Sequence, residues 1–293
     1  MREYLFLTDS TCDLTPELYT ENNIERFMLH FYLNDTEYPD DGVTLAGKEF
    51  YDMMSAGAMP TTAQINPETF AGRFREIAAE GKDIFYLAFS SGLSGTYQSA
   101  CIAANEVMEE YPDCRIVVVD SLAACGGEGI LALWVAQKKR EGLSLEELRV
   151  WTEEHKQNAV MLFTVTDLNH LHRGGRLSKT SAIAGTLLGI KPVMYANFEG
   201  KLHVASKVRG RKAALSKLVD KCVSNYVKGS TYEKQVMIIN HANCPEDAEW
   251  MSKAVRERTG VKDIKILPMG PVIGSHVGTG CIALFYYGEN REF

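Results

Sequence analysis

The stretch Ser90-Ser91-Gly92-Leu93-Ser94-Gly95-Thr96-Tyr97-Gln98-Ser99-Ala100 constrains this chain more than any other. Ahead of it, residues 84–89 form an apolar run short and aromatic-rich enough for a buried strand. Behind it, residues 97–111 read as a helix. Glycine lets a backbone approach a ligand closely and adopt positive φ. The first N–H groups of the following helix lack intrahelical partners and carry partial positive charge. Strand, Gly/Ser loop and helix therefore make either an anion seat or a capped helix start whose small residues serve close packing.

Two other strand runs end in similar chemistry. Tyr4-Leu5-Phe6-Leu7 runs into Thr8-Asp9-Ser10, and residues 115–119 run into Asp120-Ser121. Open parallel sheets bind ligands outside the carboxyl ends of their strands, although helix capping explains each polar pair equally well. Thr15-Pro16-Glu17 opens a helix, residues 24–33 form a second strand, residues 35–42 an acidic loop, and residues 44–54 lead into a short helix. Residues 59–68 form an extended loop bracketed by Pro60 and Pro67, from which the hydroxyls of Thr61 and Thr62 project. Helices follow at 68–79 and 126–140, and Ser144 with Glu147 has the spacing of a capping box for one more. Alternating strands and helices predict an α/β fold with a mainly parallel sheet in an N-terminal domain, residues 1–158.

Past residue 158 the rhythm changes. Strands are expected at 160–165, 191–195, 202–207, 236–240, 264–267 and 281–286, the second and third joined by a turn at 197–200. Helices are expected at 167–188, interrupted by Arg173-Gly174-Gly175-Arg176, and at 212–227 and 246–258. Residues 271–280 read as a glycine-rich loop. Together they predict a second, α+β domain with a mixed sheet, residues 159–293.

The net charge of −7 argues against broad binding to nucleic acid or anionic membranes. The densest basic run is only Arg209-Gly210-Arg211-Lys212. Seven cysteines without a CxxC pair fit buried thiols in a reducing compartment better than a disulfide frame or zinc site. Neither a signal-peptide layout nor a bilayer-length apolar run is visible, so a cytoplasmic protein with no integral membrane segment is expected.

His276 stands among Gly274, Gly278 and Gly280, where little side-chain packing explains it. Its imidazole titrates near neutrality and can donate to an anion. HExxH, a Walker lysine, GxGxxG and a glycosidase-like carboxylate pair are all missing, and Ser-Gly-Leu-Ser-Gly departs from the GxSxG nucleophile elbow. A Ser94–His276 dyad completed by an acid such as Asp120 stays open as a serine hydrolase acting on acyl esters. The residues alone thus point to hydroxyls of Thr61, Thr62 and Ser94 meeting His276 around one anionic group, in a cleft between two lobes.

The chain also resembles the DegV family. The matching pieces are Thr8-Asp9-Ser10, Thr61-Thr62-Ala63-Gln64, the stretch from Ser90 to Ala100, Asp120-Ser121, Leu171-His172-Arg173-Gly174-Gly175-Arg176-Leu177-Ser178, Leu188-Gly189-Ile190-Lys191-Pro192 and Gly274-Ser275-His276-Val277-Gly278-Thr279-Gly280. The resemblance implies a bacterial, non-enzymatic carrier that holds a long-chain fatty acid in a buried tunnel between or within the lobes. It further implies a separate fatty acid kinase, to which the carboxylate is presented for acyl-phosphate formation. No cofactor or metal is implied beyond the bound lipid. By the same resemblance Thr62 and Ser94 bind the carboxylate and His276 joins them, and Thr61 and Gly95 are expected among the carboxylate-binding residues. Arg173 and Arg209 match arginines that face the kinase or the developing phosphate. Where the family usually has Thr-Ser-Gln-Pro-Ser-Pro, this chain has Thr62-Ala63-Gln64-Ile65-Asn66-Pro67, and Thr279 replaces a usual proline.

A buried tail of about fifteen methylenes at ~0.8 kcal/mol each supplies roughly 12 kcal/mol before association costs. Hydrogen bonds to the head group contribute about 1.5–3 kcal/mol each and mainly prevent a buried unpaired charge. A head site of uncharged donors fits this division of labour, whereas a phosphate site calls for nearby Lys or Arg. Residues 126–135 and 183–188 are expected as tunnel walls.

Overall fold

The computed structural model describes residues 2–45, 47–178 and 189–293. Its first strands are β1 (Tyr4–Asp9), β2 (Glu25–Phe27), β3 (His30–Leu33), β4 (Thr36–Pro39), β5 (Thr61–Ala63), β6 (Asp83–Ala88) and β7 (Ile116–Asp120). The helices among and after them are α1 (Pro16–Glu21), α2 (Gly47–Ser55), α3 (Pro67–Ala79), α4 (Thr96–Glu110), α5 (Gly126–Arg140) and α6 (Leu145–His155). A parallel sheet has the order β2-β1-β6-β7. β6 is buried throughout, as a strand covered on both faces must be, which explains its unbroken apolar run. The N-caps follow local chemistry: Thr15 caps α1, Asn66 caps α3, and Ser144 with Glu147 closes a complete capping box on α6.

The expected strand at 24–33 is two strands. Ser10 Oγ accepts the N–H of Leu29 at 3.0 Å, which takes that group out of any ladder. β2 therefore stays in the parallel sheet, while β3 turns into a small antiparallel sheet of order β4-β3-β5. The acidic segment 35–42 contains β4, because Asn34 and Asp35 both take positive φ and make a tight hairpin turn. The loop at 59–68 contains β5, in which Phe31 pairs with Thr62 and Tyr32 with Thr61.

The remaining strands are β8 (Ala159–Thr164), β9 (Ile190–Ala196), β10 (Leu202–Arg209), β11 (Val236–His241), β12 (Asp263–Pro268) and β13 (Ile282–Tyr287). They form a mixed sheet of order β10-β9-β8-β13-β11-β12. With them come α7 (Asn169–Arg173), α8 (Arg211–Asn225), α9 (Pro245–Thr259) and α10 (Pro271–Val277). Alternation along β8 divides the packing: Val160 and Leu162 join a core with α8 and α9, whereas Met161 and Phe163 join the larger core that reaches the parallel sheet. α5 lies on this second face, with Gly126 close against Phe285 and Gly127 close against Met161, so neither has room for a side chain.

One further expectation changes. Residues 271–277 are helical, so His276 stands on α10, and Gly278 at φ +75° ends that helix. Of the helix expected at 167–188 and interrupted at 173–176, α7 forms the part before the interruption, and residues 179–188, with the proposed wall at 183–188, lie outside the described residues. Among the described residues, no helix is long and apolar enough to cross a membrane.

Candidate ligand cavity

Two acids at strand ends pin the Ser90–Gly95 loop. Asp9, at the end of β1, accepts the Phe89 N–H at 3.1 Å and the Tyr86 hydroxyl at 2.9 Å through Oδ2. Asp120, at the end of β7, accepts the N–H groups of Ser91 and Leu122 at 3.1 and 3.0 Å. Ser90 donates to the Gly200 carbonyl at 3.0 Å, tying the loop to the β9–β10 turn. Gly92 is required there, since a side chain would begin 2.7 Å from the Glu199 carbonyl oxygen.

Beside this loop is a cavity. Its polar groups are Thr62, Gln64, Ser94, Arg176 and His276. Contacts link them into one cluster. Thr62 Oγ1 lies 2.9 Å from His276 Nε2. Arg176 Nε donates to the Leu93 carbonyl at 2.9 Å, next to Ser94. Gly174, two residues before Arg176, lies so close to His276 Nδ1 that a Cβ there would overlap the ring. Gln64 donates to Ser99 Oγ at 3.3 Å and crowds Gly95 from the other side. Away from this cluster the wall is apolar, with Ala124, Met161, Phe163 and Phe285 beneath the start of α5.

Burial, helped by the charges of Arg176 and Arg173, pushes the His276 pKa down to about 4, so its ring is neutral at pH 7. Nδ1 is buried without a hydrogen-bond partner. An orphaned N–H costs more than an orphaned lone pair, so the proton is assigned to Nε2 and donated to Thr62 Oγ1. The Thr62 hydroxyl proton is then left for a ligand. Ser94 Oγ accepts the Thr96 N–H at 3.2 Å and lies 3.0 Å from Thr96 Oγ1. With Thr96 donating, the Ser94 proton is likewise available.

Thr62, Ser94 and His276 thus line one cavity, as the sequence reading expects. Thr61 occupies the alternate position on β5, is exposed and does not line it. Gly95 sits at the N-cap of α4, behind Ser94. Arg173 is exposed on α7, with Nη2 2.9 Å from His170 Nδ1, and Arg209 is exposed at the end of β10. Neither arginine reaches the cavity wall. Gln64 and Arg176 are cavity residues the sequence reading did not single out. Arg176 is half-buried, burial lowers its pKa, and among the described residues its guanidinium meets the carbonyls of Leu93 and Gly174 but no carboxylate. A half-buried cation that meets no carboxylate among the described residues makes the cluster a seat for an anion.

The same contacts do not assemble a hydrolytic triad. His276 Nε2 is held by Thr62, Ser94 is held by Thr96, and Asp120 is committed to the backbone of its own loop region.

Fold and cavity define a class: α/β proteins in which a parallel and a mixed sheet flank an apolar cavity with a polar head. This chain belongs to the DegV family, whose description, "uncharacterised protein, DegV family", it matches over residues 5–289. A DegV domain-containing protein of Clostridium perfringens is 42% identical over 293 residues, covering 100% of both chains. A Thermus thermophilus DegV family structure described by its fatty acid binding shares 30% identity, with a TM-score of 0.86 over 98% of this chain and 100% of that one. DegV of Bacillus subtilis, described as a fatty acid binding protein, shares 27% identity with a TM-score of 0.83 over 99% and 100%.

Proposed function

We propose that this protein binds a long-chain fatty acid, with its tail in the apolar part of the cavity and its carboxylate at Thr62, Ser94, His276 and Arg176. The observation that carries this reading is the division of one cavity into an apolar body and a single polar cluster containing a guanidinium that meets no carboxylate among the described residues. Thr61 and Gly95 act there as backbone neighbours that shape the loop ends. The tail contributes most of the affinity, and the head cluster sets the orientation.

The carboxylate is presented to a separate fatty acid kinase in the cytoplasm, with Arg173 and Arg209 on the surface the kinase meets. The protein itself has no catalytic residue in this scheme. Its two lobes divide at residues 158 and 159, where β8 opens the mixed sheet. Native mass spectrometry of the purified protein tests the reading directly, because a tightly held acyl chain adds its mass to the folded ion. A protein that carries no fatty acid and takes none up from vesicles is not such a carrier. With a cognate kinase and ATP, Arg173→Ala and Arg209→Ala should slow acyl-phosphate formation while leaving fatty-acid retention intact. Equal turnover by both variants would remove those arginines from the kinase surface.

A further inference from the structure

Asp13 and Asp40 arrive from different parts of the chain and converge at the foot of α10. Asp13 follows the turn after β1 and takes a left-handed backbone conformation, φ 49°. Asp40 follows β4. They are only 7% and 5% exposed. A side chain at Gly270 would begin 2.6 Å from Asp13 Oδ1 and 2.9 Å from Asp40 Oδ1, so both carboxyls border the same point. Asp13 Oδ1 accepts the Gly270 N–H at 2.9 Å. The Cys125 thiol lies beside Asp13, and the Ser10 hydroxyl and the Val272 N–H lie beside Asp40 and favour its ionised form.

The second oxygen, Oδ2, of each acid is buried and has no hydrogen-bond partner. Two ionised carboxylates placed this way would repel each other across a poorly solvated gap. One proton held by the pair removes a charge and supplies an O–H donor. A cation is the other way to relieve the repulsion. The groups aimed at the pair, however, are the donors of an anion site. Among the described residues, no group of three or more His, Cys, Asp or Glu is arranged to hold a metal ion.

We propose that Asp13 and Asp40 keep their protons in the folded chain and act together as positioning residues that fix α10, and with it His276, against the ligand cavity, the hold loosening when Asp40 ionises. α10 supplies Val272, Ile273, His276 and Val277 to the cavity wall; Asp13 holds the N–H of Gly270 at its N-cap, and Asp40 borders the same residue. The functional consequence rests on the fatty-acid reading given above. The protonation of the pair does not.

The surrounding charges act in the same direction. Asp9 at the end of β1 and Asp41 beside Asp40 add negative potential. Tyr51 on α2 and the thiols Cys125 and Cys281 are near, each with its pKa raised by burial, so all three are neutral. Arg26 of β2 lines the outer cleft with the pair, but it stacks over Tyr19 and donates to the Asp41 carbonyl. Burial raises the Asp40 carboxyl from its ordinary 3.8 to about 7 and, with the repulsion of Asp40 added, holds Asp13 well above its usual range. The folded chain thus keeps protons that the unfolded chain releases, and Asp40's contribution to stability falls as pH rises from about 4 to about 7.

The test uses Asp40→Asn, which keeps the shape of the side chain and replaces the mobile proton with a permanent N–H donor. Carbon-13 shifts of the His276 ring are followed between about pH 5.5 and 8.5, above the ring's own titration. In the wild type they should show an inflection near neutrality that tracks the Asp40 carboxyl, and Asp40→Asn should remove it. Release of a fluorescent fatty acid into excess vesicles should accelerate several-fold over the same range in the wild type and stay flat in Asp40→Asn. A ring signal that ignores the Asp40 titration, or an Asp40→Asn profile identical to the wild type, overturns the proposal. A protein that shows the coupled inflection but binds no fatty acid sinks the carrier reading instead. Should Asp40→Asn fail to fold, Asp13→Asn gives the same comparison from the other side of the pair.

Discussion

Thr62 Oγ1 and His276 Nε2 meet at 2.9 Å although 214 positions separate them in the sequence. The antiparallel pairing of β5 with β3 aims Thr62 inward, and the packing of α10 brings the ring to it. Thr62→Val removes the hydroxyl and leaves the Nε2–H buried without an acceptor. The expected cost is about 1–3 kcal/mol of stability. Fatty-acid affinity should fall about tenfold, because one donor to the head group is also lost. Thr62→Ser restores both functions. Thermal unfolding and a fluorescent fatty-acid titration of the two variants decide the matter, and equal losses in both would show that shape and not the hydroxyl matters.

Binding should draw in a proton. The free His276 ring has a pKa of about 4, set first by burial and then by Arg176 and Arg173. A carboxylate placed beside it favours the charged ring and raises that value. In the window between about 4 and the raised value, the complex holds more protons than the free protein, so affinity falls as pH rises. Calorimetry in buffers of different ionisation enthalpy measures the uptake, and His276→Gln should abolish it. No uptake by the wild type would place the head group away from the ring.

Gly174 tests the geometry without removing any polar group. Its backbone is right-handed, φ −71°, so alanine meets no conformational penalty there. The added methyl instead overlaps His276 Nδ1. Gly174→Ala should therefore displace the ring and weaken fatty-acid retention while shifting the melting temperature by only a few degrees, the size expected for about 1 kcal/mol. Unchanged retention would mean that the ring has room to move without consequence.

What was legible in the sequence follows from how local each signal was. The helix at Gly126–Arg140 has the bounds expected from its apolar run, and the capping box at Ser144 is formed as its spacing implies. The Gly/Ser loop after β6 was found because strand, glycines and helix are contiguous. β4 was missed because the positive-φ pair Asn34-Asp35 was read as part of a loop and not as a hairpin turn. α10 lies where the glycines of residues 271–280 read as a loop, Gly274 among them. Gly274 is there because a side chain would begin 2.6 Å from the Tyr51 hydroxyl, a contact 223 residues distant that no local pattern announces. Thr61 was grouped with Thr62 by adjacency, whereas strand alternation sends neighbouring side chains to opposite faces. Arg176 was present in the Arg-Gly-Gly-Arg piece, but only its bond to the Leu93 carbonyl separates it from exposed Arg173.

Arg176 gives the sharpest separation between charge recognition and scaffolding. Its guanidinium holds the carbonyls of Leu93 and Gly174, so it both braces the Ser94 loop and offers charge to the cavity. Arg176→Met keeps the length of the stem and some of its packing but removes every donor. If the charge recognises the ligand, the acid loses a charge-assisted hydrogen bond of about 1.5–3 kcal/mol, roughly ten- to a hundredfold in affinity. A fatty alcohol of equal chain length has no carboxylate to lose, so its weaker binding should change little. Arg176→Lys should recover only part of the acid's affinity, since an ammonium cannot reproduce the planar fork that spans two carbonyls. Titrations of the acid and the alcohol against all three proteins measure the difference. Equal weakening for both ligands would assign Arg176 to the loop alone and leave the carboxylate to Thr62, Ser94 and His276.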